Sequence, residues 1–178
     1  MKKYLASVVI VLGLLSAGKV SAQNKIGYID VNEAISIMPE MGKIDTLLQH
    51  FQTDSLNATF AELLQNYNYK DSMLNKTDTS KMPQSVKNQY RQDRENLVYQ
   101  IQNWQNISQQ VYQNKQAQLI QPVYKKVNDA IRVVAKENGY GYVLVKDALV
   151  IMPPADDLLP LVAKKLGVKL PPQLQTGK

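Results

Sequence analysis

Cysteine is absent from the 178 residues, and histidine and tryptophan occur once each. Without cysteine there is no disulfide to staple the chain, no thiolate ligand or nucleophile, and no acylated residue to anchor a lipoprotein. The single histidine, His50, has no second His with which to build a metal or acid–base site, so a surface or seam role is expected of it. No Gly-x-Ser-x-Gly elbow, P-loop or His-Glu-x-x-His occurs. Asp156-Asp157 reads as a helix-start cap, because carboxylates suit the positive end of a helix. These absences predict a non-catalytic protein with no cofactor and no metal.

Long apolar runs and excess charge are also scarce. Residues 4–15 are apolar but shorter than the ~20 residues that a membrane span needs. They follow Lys2 and Lys3 and precede the small-residue triplet Val20-Ser21-Ala22. This is the pattern of a secretory signal peptide over residues 1–22, with cleavage expected after Ala22 and a mature chain in the periplasm. Three of the 21 basic residues lie in that leader, which leaves 18 against 15 acidic ones. An excess of three charges is too small for a nucleic-acid binder.

What is present falls into three parts. Lys25-Ile26-Gly27-Tyr28-Ile29-Asp30-Val31 has the β-branched and aromatic content of a strand, and Pro39 ends a short turn of helix after it. Residues 40–138 carry helical spacing. Leu56, Phe60, Leu63, Tyr67 and Leu74 form one apolar seam, and Tyr90, Leu97, Ile101, Trp104 and Val111 form another. Turn formers and Pro83 separate them, so two antiparallel helices are predicted, ~50 and ~80 Å long at 1.5 Å per residue. Pro122 is expected to kink the second helix between an arm and a root, after which Val123, Val127, Ile131 and Val134 should dock on the body. Gly139 suits the residue after a helix. Residues 140–145 and 148–152 read as a β-hairpin across Lys146-Asp147, although the favoured turn dipeptides are missing. Asp157 then caps a last helix with Pro160 in its first turn and Gly167 at its end, and the chain beyond Lys169 reads as loose.

The predicted fold class is α+β. A small β-sheet body (residues 23–39 and 139–170) carries a helical hairpin arm (40–138) and a flexible tail (171–178). That body has about 50 residues, below the size at which a core usually suffices without metal, disulfide or assembly. Self-association is therefore expected, with Ile26, Tyr28, Ile29, Val143, Val145, Leu149 and Ile151 as candidate interface residues.

The arm carries the candidate binding surfaces. On its second helix Asp93, Ser108, Lys115 and Gln118 fall where a tight zipper would be apolar, and 17 of residues 84–121 are Gln or Asn. A solvated spacer is one reading. The other is a loosely packed arm that offers Tyr67, Tyr69, Met73, Tyr90, Tyr99, Trp104 and Tyr112 to a client, since aromatics and Met make adaptable contacts. The hairpin tip is basic, with Lys70, Lys76, Lys81, Lys87, Arg91 and Arg94. This reads either as solvation or as attraction to acidic clients or an anionic membrane surface.

The order of these parts, with the strand segments 25–31 and Gly139-Tyr140-Gly141-Tyr142-Val143-Leu144-Val145 flanking a long polar hairpin, resembles the Skp/OmpH family of periplasmic chaperones. The resemblance implies a homotrimer with a β-sheet body and three helical tentacles. It also implies ATP-independent holding of unfolded outer-membrane β-barrel proteins in the space between them.

Overall fold

A computed structural model describes residues 24–76 and 81–174. The predicted signal peptide and its cleavage site, much of the predicted tip turn, and the last four residues lie outside them. The chain runs β1 (Lys25–Ile29), α1 (Val31–Ser36), α2 (Glu40–His50), a π-helical turn (Phe51–Leu56), α3 (Asn57–Asn75), α4 (Gln84–Gln102), α5 (Trp104–Glu137), β2 (Tyr140–Val145) and α6 (Leu159–Leu166). Short 3-10 turns occupy Lys146–Ala148, Pro154–Asp156 and Pro172–Leu174.

Asp30 Oδ1, at the end of the predicted strand segment, accepts from the Glu33 amide at 3.0 Å and caps α1, a cap the sequence reading did not name. The signals that were read act in place. Pro39 and Pro83 stand immediately before α2 and α4. Asp157 Oδ1 accepts from the Leu159 amide at 2.9 Å, and Pro160 lies in the first turn of α6. Gly139 and Gly167 take positive φ (71° and 73°), which a side chain would oppose, and so end α5 and α6.

The sheet differs from expectation. Its two strands are parallel, with Ile26 opposite Tyr142 and Ile29 opposite Val145. A parallel pair needs a crossover, and here the whole hairpin arm is that crossover. The predicted second strand of a hairpin, residues 148–152, does not form. Lys146 turns into a 3-10 turn and its ammonium lies 3.4 Å from Glu33 Oε2. On the other edge of β1 the chain returns only as a bridge, where Leu158 N donates to Tyr28 O at 2.9 Å.

One apolar core joins these elements to the arm root. Ile29, Ala34, Met38, Ile44, Leu48, Val123, Val127, Ile131, Val134, Leu158 and Val162 are buried in it. The stripe at 123, 127, 131 and 134 thus docks as predicted. Pro122, the expected kink, lies inside α5, and the fully buried residues of that helix begin at Val123, where the root was expected. Near the expected loose tail, Leu170 and Leu174 pack against the core, and residues 175–178 of it lie outside the described residues.

Two further irregularities depart from the expected pair of unbroken helices. The ascending helix widens into the π turn at Phe51–Leu56. The returning one breaks at Asn103 (φ −97°, ψ 6°), whose Nδ2 bonds Tyr99 O at 2.8 Å.

Candidate functional site

The distal arm consists of α3 and α4, neither of which has a buried residue. Beside a half-buried apolar seam, polar pairs cross the hairpin. Lys70 Nζ donates to Asp93 Oδ2 at 2.7 Å and sits 4.1 Å from the Tyr90 ring centroid. Gln89 also donates to Asp93, at 2.8 Å. Arg94 Nη1 reaches Asp71 Oδ1 at 3.0 Å. The hydrogen bond from Lys70, followed by that from Gln89, holds the Asp93 carboxyl below the usual range. The same bond raises the Lys70 ammonium. Asp93 therefore stands at an apolar seam position because it has a cationic partner there.

Of the seven aromatic and Met candidates, two are open. Tyr99 is 65% exposed, and Tyr69 is exposed beside Tyr90, with ring centroids 6.4 Å apart. Tyr67, Met73, Tyr90, Trp104 and Tyr112 are half-buried. Trp104 stacks on Phe60 at 5.6 Å between centroids, and Tyr112 packs against the core. Among the other polar seam residues, Ser108 and Lys115 are half-buried, with Lys115 5.7 Å from the Phe51 ring centroid, whereas Gln118 is exposed.

The basic tip divides in the same way. Lys70 and Arg94 are engaged across the hairpin, Lys76 contacts Met73 Sδ at 3.5 Å, and Arg91 bonds Asn88 Oδ1 at 3.3 Å. Lys87 is half-buried and Lys81 is exposed.

Sequence reasoning did not single out Tyr124, which is half exposed on α5 and lines two adjoining concavities of about 740 and 370 Å³. Its spacing from the buried stripe at 123 and 127 was the signal, because it lies off that face.

The proposed interface residues also divide. Tyr28 and Ile29 are buried in the chain's own core, and burial raises the Tyr28 phenol, with Asp157 adding to the effect. Val143 and Leu149 are half-buried, while Ile26, Val145 and Ile151 point outward. Val150, 98% exposed, joins Ile151 in an unpaired apolar segment.

His50 is exposed and bonds Asp54 one turn on, at 3.1 Å. No group of three or more His, Cys, Asp or Glu among the described residues could hold a metal, and no described helix is long and apolar enough to cross a membrane.

Comparison with curated proteins finds no match. The fold is similar to the crystal structure of a candidate outer membrane chaperone (OmpH-like) from Caulobacter crescentus CB15. The TM-score is 0.50 at 17% identity, covering 79% of this chain and 82% of that one. Residues 25–166, from the first strand to the end of α6, match the family described as "Outer membrane protein (OmpH-like)". The chain belongs to that OmpH-like family.

Proposed function

We propose that this chain is an exported, non-catalytic holdase. It keeps unfolded outer-membrane β-barrel proteins apart in the periplasm, without ATP, in a space enclosed by the arms of a homotrimer. The observation that carries the reading is the contrast within the arm: two long helices with no buried side chain, closed by polar pairs, leaving Tyr69 and Tyr99 on the surface. An unfolded barrel chain aggregates through unpaired strand edges and apolar burial. Many weak contacts inside an enclosure oppose that without one tight site, and release follows when the client's barrel is more stable in the membrane. The exposed segment at Val150 and Ile151, with Ile26 and Val145, gives the small body an apolar surface for assembly. The test is light scattering of a urea-diluted barrel protein. Suppression at about one trimer per client is expected; unchanged scattering would refute holding.

A second reading, a periplasmic spacer whose arm tips bind one fixed envelope partner, draws on the ion pairs that stiffen the tip. It predicts a single saturable partner and no effect on aggregation.

A further inference from the structure

We infer that the arm carries two matching subsites for the main chain of an extended polypeptide. Each is a notch between the ascending and returning helices, with a leucine at its floor and three side-chain amides at its rim. The first, about 270 Å³, is lined by Leu56 with Gln52, Gln105 and Gln109, and by Ser108 and Tyr112. The second, about 290 Å³, is lined by Leu97 with Asn66, Asn96 and Gln100, and by Lys70 and Asp93. The arrangement repeats: one amide comes from the ascending side and two, four residues apart, from the returning side. Leu56 is buried and Leu97 half-buried, whereas all six amides are exposed.

The amides are the groups left to meet a ligand. Lys70 and Asp93 neutralise each other, and Ser108 Oγ donates to Gln105 O in its own helix. None of the six amide side chains hydrogen-bonds another described residue. A carboxamide has two donors and an acceptor, as near a match to the peptide group as a side chain offers. It can pair with a main-chain N–H or C=O whatever side chain stands beside it. A cation cannot accept and a carboxylate cannot donate, so a charged rim would select by charge instead. The spacing also fits. Side chains four apart on a helix stand ~6 Å from each other, and equivalent groups along one edge of a strand recur at ~6.7 Å. From Asn96 to Gln105 the helix rises ~14 Å, the length of about four strand residues. One extended segment can therefore lie along the returning side and meet both notches, placing an apolar side chain over each leucine. That the segment is an unfolded barrel strand, which alternates apolar and polar residues, rests on the holdase reading. Capture of an extended main chain does not.

The test uses two fluorescent nine-residue peptides of alternating apolar and polar residues, titrated with the leader-free protein. They are identical except that the second has esters in place of its four central peptide N–H groups. It keeps the shape and side chains of the first and loses those donors. The amide peptide is expected to bind about tenfold tighter, the effect of two hydrogen bonds of ordinary net strength. Asn96→Leu, Gln100→Met, Gln105→Met and Gln109→Met, combined in one protein, should abolish that preference. Gln92→Met, Gln102→Met and Gln110→Met, at exposed amides outside both notches, should preserve it. Equal affinities for the two peptides, no binding of either, or a preference that survives the notch substitutions would overturn the subsites. Suppressed scattering of a barrel client alongside equal peptide affinities would overturn them and leave holding intact. A peptide preference without suppressed scattering would refute holding and leave the subsites standing.

Discussion

The root and the distal arm are both helical hairpin, yet they differ sharply in how much apolar surface they bury. In the root, α2 and α5 bury Ile44, Leu48, Val123 and Val127 against a sheet and a closing helix. Beyond the π turn, α3 and α4 bury nothing completely; they share a half-buried seam that includes Leu63, Leu74, Leu97 and Ile101, joined by two ion pairs and a cation over a ring. Apolar burial is worth ~25 cal/mol per Å², whereas exposed ion pairs contribute little after solvation and entropy. The difference teaches that one continuous hairpin can have a deeply buried end and a sparsely buried one. Burial separates them, while helix content hardly does.

The largest effect expected from this contrast is at Leu158, which is fully buried beside β1. Leu158→Ala should destabilise the protein by ~2–5 kcal/mol in urea unfolding. Leu64→Ala on the arm should cost less than about 1 kcal/mol, because that side chain is already part-exposed. Equal losses would erase the distinction. Next, Trp104→Ala removes a stack of the kind worth ~0.5–1.5 kcal/mol beyond its area. It should speed amide exchange in residues 57–102 and leave residues 123–134 unchanged. A smaller effect is expected from a double-mutant cycle of Asp71→Asn and Arg94→Gln. The coupling should be ~0.2–1 kcal/mol and fade near 1 M salt, where the Debye length is ~3 Å.

The smallest effect concerns pH. Asp93 is held low in the folded arm, so the unfolded chain takes up that proton first as acid is added. Its contribution is complete above the ordinary carboxylate pKa and is lost as pH falls through the lowered folded value. Lys70 is raised, so its share is complete below its ordinary pKa and lost as pH rises through the raised one. Arm-localised spectroscopic signals should therefore be flat from about pH 5 to 9 and change only outside that window.

Much of this was legible in the sequence because it depends on local rules. The stripe at 123, 127, 131 and 134 has helical period, Gly139 and Gly167 stand where helices end, and Asp157 stands where the last one begins. The parts that were not legible depend on contacts between distant residues or on a single-residue count. An extra residue between Leu48 and Leu56 leaves both on the buried face, so the π turn hides inside an apparently regular pattern. Residues 148–152 have strand composition, but β1 had already paired with β2 in parallel and Lys146 was drawn to Glu33. The partnership of Lys70 with Asp93 requires the hairpin register, and the tip turn did not disclose it. For that reason two members of the expected cationic patch, Lys70 and Arg94, were not foreseen as cross-links of the hairpin.

Hydrogen exchange across the whole protein, with and without an unfolded β-barrel client, tests the central claim most directly. The account predicts slow exchange in residues 123–134, faster exchange in residues 57–102, and client-induced protection confined to the latter. Arm and root amides that exchange at the same rate, and do not respond to the client, would contradict it.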